Sequence, residues 1–588
     1  MTSLIAVALF AFVLATAATP ACKRLANYLD VFAHPDAERW HRTPVPLLGG
    51  VAIFAAVVVP TVLVAGSNLA VWGLLGGSSA LFVLGLVDDI RPFKPQFKVV
   101  GQILVASAMV SLGLELRLTS YALLNVAITL VWIVGITNAF NLLDNMDGLA
   151  AGIAIIAAGF RLTFFLMDGN ASEALLAAIL VGALLGFLIY NWNPASIFMG
   201  DAGSLFVGCY VAGLSLIGGW PYSRGITSVL VFPVLILLVP IFDTTFVTIT
   251  RTLANRPISV GGRDHTSHRL VALGLSEPKA VAFFYGVAFF SGLVALFSYQ
   301  YGLSYSLVFI AFLLIGLIIF GVYIASLRVH PEREGDVVAA SGLTRIVLDF
   351  SYKKQITTVI LDLLLIALAY NSAYLLRFES AFDQHEAQFL QSLPLVIVCQ
   401  MLLFAMMRVY QGVWRYTSLL DMIRLIQATS LGVVASVVTI VFVYRFEGYS
   451  RSVFIIYWVL LLLFVASSRA SFRVIGEFLQ RRQSGATRVV IYGAGDGGVL
   501  ALREILNNVS LGREPAGFID DDPAKWMTKI QGYAVFGGLD NLEEVIRSES
   551  IAEVVVASTK VRDEQMNVLV ATCEACGVSL VRASLQLE

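Results

Sequence analysis

The sequence is poor in charged residues. Only 13% of its 588 residues are Asp, Glu, Lys or Arg, whereas 58% are hydrophobic, and the mean hydropathy is +0.82. Soluble proteins carry about 25% charged residues, so this composition excludes an ordinary soluble enzyme and indicates a polytopic membrane protein. The net charge is only −1, which lacks the basic signature of nucleic-acid binding, and we expect no nucleic-acid partner.

Cysteine is scarce as well. The five cysteines show no disulfide framework. Cys573 and Cys576 form a single C-x-x-C pair, whereas a metal site of this kind needs a second pair, so we interpret both as packing residues. The first apolar run, from Leu4 to Pro20, lacks a basic leader and a cleavage site followed by polar chain. We therefore expect it to be a retained first span.

Long apolar runs are abundant. Windows of about 20 apolar residues predict eleven spans, near 3–21, 45–66, 70–87, 98–115, 119–137, 149–167, 172–190, 203–219, 226–247, 279–297 and 303–325. Four more are predicted near 356–376, 390–409, 429–446 and 453–468. The predicted fold is thus a polytopic α-helical membrane protein of eleven plus about four spans with a C-terminal cytoplasmic Rossmann-like domain. The predicted domains are the eleven-span domain at 1–325, a cytoplasmic linker at 326–355, a four-span membrane domain at 356–475 and the Rossmann-like nucleotide-binding domain at 485–588.

Basic residues distinguish the two sides of the predicted membrane domain. The loops after spans 1, 3, 5, 7 and 9 hold Lys23, Arg24, Arg39, Arg42, Arg91, Lys94, Arg251, Arg256, Arg263 and Arg269. The opposite loops hold little beyond Arg117 and Arg224. The positive-inside rule therefore places the first set of loops in the cytoplasm and the N-terminus outside. The same count places the C-terminal soluble part in the cytoplasm.

The polar residues of interest lie in the same five loops. Asn138, Asn141, Asp144 and Asp147 recur every three residues, which predicts a drifting polar stripe along one side of a helix. The other four clusters are the His34–Gly50 loop, the Asp88-Asp89 pair with Lys98, the 191–204 run, and Asp243 with the 263–269 run. Because all five lie at span ends on one side, we expect them to converge at the cytoplasmic mouth of one bundle.

The residue types in these clusters suit phosphoryl transfer. Two carboxylates about 4 Å apart, such as Asp88 and Asp89, repel by about 4 kcal/mol at an effective dielectric near 20, which a divalent cation or a lysine would relieve. Carboxylates are the ligands that Mg²⁺ prefers, and histidine and arginine donate to phosphate oxygens. The set predicts transfer between a phosphate-bearing cytoplasmic donor and a lipid. The alternative is that each acid merely caps a helix or forms an ion pair.

Four runs resemble a known family. They are G-L-V-D-D-I with Lys98 and Gln102 downstream, N-A-F-N-L-L-D-N-M-D-G-L, N-P-A-S-I-F-M-G-D-A-G-S and D-H-T-S-H-R-L. These runs resemble motifs of the polytopic polyprenyl-phosphate sugar-1-phosphate transferases, which include the undecaprenyl-phosphate N-acetylglucosamine-1-phosphate transferases. The resemblance covers about residues 1–325, and the motifs occur in the same order as in that family. The resemblance implies that a UDP-sugar donates sugar-1-phosphate, expected to be that of an N-acetylhexosamine, to undecaprenyl phosphate with Mg²⁺ or Mn²⁺, releasing UMP. It also implies the bacterial inner membrane, membrane lipids as surroundings, a homodimer, and the first membrane step of a cell-surface glycan.

The resemblance also assigns roles residue by residue. The expected catalytic residues are Asp88, Asp89, Asp144, Asp147, His265 and His268. The expected substrate-binding residues are His41, Lys98, Asn138, Asn141, Asn191, Arg263 and Arg269. Asp201 and Asp89 are expected to hold the metal ion. Two positions depart from the family: Trp40 stands where many relatives have Lys, and Ser267 stands where some have a third His.

The C-terminal part carries a different pattern. The buried-strand run Arg488–Tyr492 leads into G-A-G-D-G-G, and Asp520 follows the next predicted strand, Ala516–Ile519. This order of strand, G-x-G-x-x-G, helix and acid is typical of dinucleotide binding, and predicts a bound nucleotide at Gly493, Gly495, Gly498 and Asp520. From about residue 345 the chain resembles the N-terminal part of membrane nucleotide-sugar dehydratases and epimerases. The sequence stops at Glu588, before the Tyr-x-x-x-Lys domain of those enzymes, so we expect an anchor, dimer contact or sensor rather than a second activity.

Two other function classes compete with an enzyme. A transporter is expected to place charges at the membrane midplane in repeated or broken helices, whereas these carboxylates lie at span ends. A scaffold or nucleotide-sensing subunit of a polysaccharide assembly needs no aligned acids. Turnover of a UDP-sugar distinguishes all three, and the sequence does not identify the sugar.

Overall fold

The computed structural model describes residues 2–33, 44–64, 66–91, 93–218, 225–253, 256, 264–325, 350–411, 419–480, 487–507, 513–557 and 561–583. The chain divides into two compact units. The first comprises Met1–Gly412 with Leu419–Val465, and the second comprises Val413–Ser418 with Ala466–Glu588. Helices dominate the first unit, and a mostly parallel sheet forms the centre of the second.

The described elements up to residue 325 are helices with one short strand pair. They are α1 (Thr2–Leu29), β1 (Phe32–Ala33), β2 (Val45–Pro46), α2 (Gly49–Val64), α3 (Leu69–Ile90), α4 (Pro95–Ser111), α5 (Ala122–Leu143), α6 (Leu149–Met167), α7 (Ala171–Asn191), α8 (Gly200–Leu214), α9 (Gly225–Ile236), α10 (Leu238–Leu253), α11 (Thr266–Ala272), α12 (Glu277–Tyr301) and α13 (Leu303–Ala325). Long apolar runs become helices because a backbone in lipid must satisfy its own polar groups. Within the described residues, eleven helices are long and apolar enough to span a membrane, seven of them before residue 326.

Shorter helices occupy the other four predicted spans of this part. Helices α2, α4 and α8 have 16, 17 and 15 residues, and α9 and α10 share the region predicted as one span at 226–247. Every residue of α8 from Ala202 to Leu214 is buried, with α3, α5 and α2 packed around it. Since protein rather than lipid surrounds α8, the bilayer thickness does not set its length.

Four long helices complete the membrane part of the chain. They are α14 (Phe350–Phe378), α15 (Glu386–Met406), α16 (Leu419–Tyr444) and α17 (Arg451–Gln480), with a 3₁₀ turn at Glu379–His385. Helix α14 begins inside the predicted linker, and residues 326–349 of that linker lie outside the described residues. Aromatic contacts join α13 to these helices, with ring centroids of Phe312 and Phe464 6.2 Å apart. Most of the predicted four-span domain therefore belongs to the same compact unit as the first thirteen helices.

The second unit contains the predicted α/β domain. Its strands are β3 (Thr487–Tyr492), β4 (Arg513–Ile519), β5 (Lys529–Ile530), β6 (Tyr533–Val535), β7 (Glu553–Val556) and β8 (Ser579–Arg582), and its helices are α18 (Asp496–Asn507), α19 (Leu542–Ser548) and α20 (Asp563–Cys576). The sheet order is β5-β6-β4-β3-β7-β8, and only the β5–β6 pair is antiparallel. The strand order reverses at β3, where such sheets bind ligands. The predicted fold class is confirmed.

Candidate active site

The predicted polar clusters converge at one end of the bundle. The N-terminus of α8 is their centre, since side chains from α3, α4 and α5 all bond to Asp201 or its neighbours. The 191–199 loop joins this centre to the segment after α5, and Gly49 donates its N–H to the carbonyl of Phe198 at 2.9 Å. The expectation that distant loops meet at one mouth is confirmed for the described residues.

Asp89 caps the N-terminus of α8. Its Oδ1 accepts the backbone N–H of Asp201 at 2.8 Å, and its Oδ2 accepts that of Ala202 at 2.9 Å. These N–H groups have no partner within a helix, and the helix dipole favours a negative charge here. Gly200 makes the approach possible, because a Cβ at this residue would lie 2.6 Å from Oδ2 of Asp89. The structure gives Asp89 a positioning contact, and its direct metal contact stays a prediction.

Lys98 links the two remaining carboxylates of this centre. Its Nζ donates to Oδ2 of Asp88 at 2.9 Å and also forms an ion pair with Asp201. The second oxygen of Asp88 accepts the N–H of Phe93 at 2.7 Å. All three charged side chains are mostly buried but reachable from solvent, with 12–29% of each exposed. The prediction that Lys98 counters the acidic pair holds for Asp88, whereas α8 compensates Asp89.

Amides on α5 hold the other side of Asp201. Asn141 donates to Oδ1 of Asp201 at 3.0 Å and to Oγ of Ser204 at 2.9 Å. One turn earlier, Asn138 and Gln102 of α4 exchange two amide hydrogen bonds. Asn138 therefore joins α4 to α5, and its contact with substrate stays a prediction.

Asp144 is the carboxylate in this centre that has no hydrogen bond or ion pair with any described residue. It follows the last residue of the span Ala122–Leu143. Burial, with the negative charges of Asp201, Asp89 and Asp147, raises the pKa of Asp144 to about 8. A cation placed among these acids would remove that repulsion.

These donors fit a Mg²⁺ or Mn²⁺ ion. No three His, Cys, Asp or Glu side chains in the described ranges stand close enough to hold a metal by themselves. Mg²⁺ usually binds through one or two carboxylates together with substrate phosphates and water, so a complete protein cage is unnecessary. Asp201 and Asp144 are the side chains that would hold it.

The segment after α5 is fastened to the 191–199 loop. Oδ2 of Asp147 accepts the N–H of Ala195 at 2.8 Å and the amide of Asn193 at 3.2 Å. Asn193 also donates to Glu277, the first residue of α12, at 3.0 Å. Asn191 accepts from Gly148 N–H at 3.1 Å and donates to the Ile197 carbonyl. Asn191 thus supports the pocket backbone, and its contact with substrate stays a prediction.

The histidine segment is fixed by Asp243 of α10. Oδ2 of Asp243 lies 2.7 Å from Nδ1 of His265, and both side chains are buried. The rings of His265 and His268 pack edge to face, 6.0 Å between centroids. Oγ of Ser267 donates to Oδ1 of Asn145 at 2.8 Å, so the serine at this departure from the family joins α11 to the segment after α5.

The predicted basic contacts are only partly described. Arg269 donates to the backbone carbonyls of Asp264 and Ile324, at 3.1 and 2.9 Å. This fastens α11 to the end of α13, and phosphate binding by Arg269 stays a prediction. His41 and Arg263 lie outside the described residues, as does Trp40.

Four residues of this network had no predicted site role, although Asp243 belongs to a predicted polar cluster: Asn145, Asn193, Asp243 and Glu277. Asn145 and Asn193 lie inside the polar runs, so their position in the sequence could have predicted a role in the site. Asp243 and Glu277 lie at the buried part of α10 and the start of α12, and only the packing reveals their partners.

In the second unit, the glycine loop has the expected shape. A Cβ at Gly498 would lie 1.8 Å from the carbonyl oxygen of Gly493. Gly495 is exposed, and a Cβ there would meet no described atom within 4 Å. Asp520 faces this loop: its Oδ2 accepts Ala494 N–H at 2.6 Å and Lys525 Nζ at 3.0 Å. Burial opposes ionisation, but hydrogen bonds from the backbone of Asp522 and Ala494 and from Lys525 lower the pKa of Asp520. Its ribose contact stays a prediction.

Comparison with known proteins agrees with this geometry. Residues 71–219 match Glycosyl transferase family 4, and residues 405–582 match a CoA-binding domain. The chain is 38% identical over 289 residues, 47% of its length, to the "Probable undecaprenyl-phosphate N-acetylglucosaminyl 1-phosphate transferase" of Bacillus subtilis (strain 168), covering 80% of that relative. The chain belongs to the polyprenyl-phosphate sugar-1-phosphate transferase family.

Other relatives carry related names. The decaprenyl-phosphate N-acetylglucosaminephosphotransferase of Mycobacterium leprae (strain TN) is 31% identical over 302 residues, 44% of this chain and 75% of the relative. The phospho-N-acetylmuramoyl-pentapeptide-transferase of Lactobacillus gasseri is 31% identical over 289 residues, 44% of this chain and 87% of the relative. In this transferase the family resemblance and the converging acids concern the same part of the chain, and the fused C-terminal domain is confirmed.

Proposed function

We propose that this transferase moves N-acetylhexosamine-1-phosphate from a UDP-sugar to undecaprenyl phosphate and releases UMP. The observation that carries the proposal is the centre at the N-terminus of α8, where Asp201 contacts Lys98 and Asn141 beside Asp144, whose carboxylate bonds to no described residue. The names of the relatives supply the substrate class, since they act on polyprenyl phosphates and N-acetylated sugars.

The reaction is a displacement at phosphorus. An oxygen of the lipid phosphate forms a bond to the β-phosphorus of the UDP-sugar, and the bond from that phosphorus to the bridging oxygen breaks. The bridging oxygen stays on UMP. The product is a lipid diphosphate that carries the sugar.

The residues of the chain supply positioning and charge in this proposal. Asp88, held by Phe93 N–H and Lys98, accepts a proton from the lipid phosphate or orients its nucleophilic oxygen. Lys98 partly neutralises the negative charge of the acidic centre, which reduces its repulsion of an anionic lipid headgroup. Asn141 fixes the Asp201 carboxylate. Mg²⁺ or Mn²⁺, held by Asp201 and Asp144, would neutralise negative charge on the diphosphate when bound.

The proposed orientation follows the basic loops. We place the N-terminus outside the bacterial inner membrane, and the active mouth with the C-terminal domain in the cytoplasm. A cytoplasmic mouth gives direct access to UDP-sugars, and the membrane supplies the lipid acceptor.

A modulating role is proposed for the C-terminal domain. The exposed Gly495, with open space around it, leaves room for a phosphate-bearing ligand at the carboxyl end of β3. The match to a CoA-binding domain favours a nucleotide-containing ligand. The acids of the transferase centre all lie before residue 270, so this ligand is expected to regulate transfer rather than react.

A panel of UDP-sugars tests the proposed function. Purified protein in lipid nanodiscs is mixed with undecaprenyl phosphate, Mg²⁺ and one of UDP-GlcNAc, UDP-GalNAc, UDP-glucose or UDP-MurNAc-pentapeptide, and UMP is measured. UMP should appear with at least one N-acetylated sugar and only when the lipid is present. The Asp201→Asn protein is the matched control and should release almost no UMP. UMP release from none of the four donors would contradict the proposal.

A further inference from the structure

Asp243 and His265 form a buried contact between α10 and the start of α11. Asp243 is only 1% exposed, and the two oxygens of its carboxylate contact different partners. Oδ2 lies 2.7 Å from Nδ1 of His265. Oδ1 accepts both the backbone N–H of Thr266 at 2.9 Å and its hydroxyl at 2.5 Å. One acid thus holds both the ring and the backbone that carries it.

A carboxylate beside Nδ1 selects the form of the imidazole. An ionised carboxylate only accepts hydrogen bonds, so Nδ1 must carry the proton. The other ring nitrogen, Nε2, then faces away from Asp243 and makes no hydrogen bond to a described residue. In the same way a buried aspartate in hydrolase triads fixes the tautomer of its histidine and stabilises the charged ring.

We propose that Asp243 is a positioning residue that fixes the ring and the tautomer of His265, so that Nε2 is presented to the phosphates of the donor nucleotide-sugar. The inference rests on the proposed function, because it assigns His265 to the donor. Asp243 does not touch the substrate, and its effect passes entirely through His265. When the ring also carries a proton at Nε2, the ionised Asp243 stabilises the cation, and Nε2–H donates a hydrogen bond to the negative charge that develops on the departing phosphate.

Neighbouring contacts give the histidine segment independent supports. Ser267 is tied to Asn145 at 2.8 Å, and Arg269 to the carbonyl of Ile324 at 2.9 Å. Neither bond involves Asp243. The position of α11 can therefore be disturbed at Ser267 without a change at Nδ1 of His265, which provides a matched control.

The informative substitution is Asp243→Asn. The amide oxygen can still accept the Thr266 donors, while the NH₂ group faces Nδ1 and forces this nitrogen to become an acceptor. The substitution therefore keeps the support of the backbone and reverses the tautomer. Nε2–H then belongs to a neutral ring rather than to a cation stabilised by Asp243, so we expect kcat to fall about tenfold, because hydrogen bonds from neutral donors are weaker than charge-assisted ones, with KM for the nucleotide-sugar changed less than about threefold.

The first measurement is the ¹⁵N spectrum of histidine-labelled protein in lipid bilayers. The chain has six histidines, and His265→Gln identifies the signal of interest. The parent protein should show a protonated Nδ1, which decides the tautomer even if a variant at Asp243 fails to fold. In Asp243→Asn the proton should move to Nε2, whereas Ser267→Ala and Thr266→Val should leave the signal unchanged. An unprotonated Nδ1 in the parent would overturn the proposal.

The second measurement is a double-mutant cycle on UMP release. If Asp243 acts through His265, Asp243→Asn combined with His265→Gln should be as slow as His265→Gln alone, within about twofold. Multiplying effects would show that Asp243 acts by another route and would overturn the proposal. A parent protein that releases no UMP from any donor would refute the proposed function instead, while the ¹⁵N signal would still report on the Asp243–His265 pair.

Discussion

Asp88 and Asp89 are neighbours in sequence but should respond differently to the same substitution. Asp89 gives both oxygens to the N-terminus of α8, whereas Asp88 shares its oxygens between Phe93 N–H and Lys98. Replacing Asp89 by Asn should therefore destabilise the fold and displace Asp201. Replacing Asp88 by Asn should stop transfer in a protein that remains stable.

The contacts of Asp89 set the size of its effect. Asp89 accepts two backbone N–H groups, at 2.8 and 2.9 Å. The oxygen of an Asn at this position can accept one of them, whereas its NH₂ group faces the other N–H and forms no hydrogen bond with it. Losing one hydrogen bond to a charged group costs about 1.5–3 kcal/mol, and losing the charge at the helix N-terminus costs about 0.3–1 kcal/mol more. The total of about 2–4 kcal/mol corresponds to about 30-fold to about 700-fold in the unfolding equilibrium.

The effect of Asp88→Asn lies in turnover. The amide oxygen still accepts Phe93 N–H, and Lys98 keeps its ion pair with Asp201. We expect a loss of stability of about 1 kcal/mol or less and a loss of transfer of about 10²–10⁴-fold, the range for a group that moves a proton.

The assay compares both variants in one membrane mimetic. Unfolding in lipid–detergent micelles is titrated with dodecyl sulfate and followed by tryptophan fluorescence, and UMP release is measured below the unfolding transition. Asp89→Asn should unfold at clearly lower dodecyl sulfate than Asp88→Asn. Equal unfolding midpoints for the two variants, or parent stability for Asp89→Asn, would refute the assignment of Asp89 as the cap of α8.

Three further predictions concern the metal, the topology and the division of labour. Asp201→Asn should lower transfer at least about 10³-fold, since a unit charge about 4 Å from a cation is worth about 4 kcal/mol at an effective dielectric near 20, and should raise the Mg²⁺ needed for half activity; transfer at the parent rate would contradict the metal role. In a cysteine-free background, the exposed residue Ala272 replaced by Cys should be labelled only from the cytoplasm and Ser120 replaced by Cys only from outside, and reversed labelling would refute the orientation. A chain cut near residue 335 should still release UMP, and Gly495→Val should weaken nucleotide binding without stopping transfer; a folded but inert cut chain that is rescued by the separate C-terminal half would place that half in catalysis.

The sequence predicts most of the architecture because hydrophobic length and strand pattern are local properties. The predicted runs at Arg488–Tyr492 and Ala516–Ile519 became β3 and part of β4. The buried helix α8 is an element whose place in the fold is not set by local properties. Its 15 residues are as apolar as a span, and only the helices packed around it distinguish a bundle centre from a lipid-facing helix.

The site could be predicted as a set of residues but not as a set of partners. Spacing shows that Asp88 and Asp89 are adjacent, yet the helix that Asp89 caps begins more than a hundred residues later. Similarly, Asp243 and His265 are 22 residues apart, and the packing of α10 against α11 brings them together. Such pairings depend on tertiary packing, which no local pattern records.

The position of an isotope label shows whether the sugar moves to the lipid together with its phosphate. UDP-N-acetylglucosamine labelled with ³²P at the β-phosphate is incubated with the protein, undecaprenyl phosphate and Mg²⁺, and the label is counted in the lipid and aqueous phases. A parallel sample carries the label at the α-phosphate. The β-label should enter the lipid phase while the α-label leaves as UMP. A lipid that acquires sugar without the β-label, with UDP released, would contradict sugar-1-phosphate transfer.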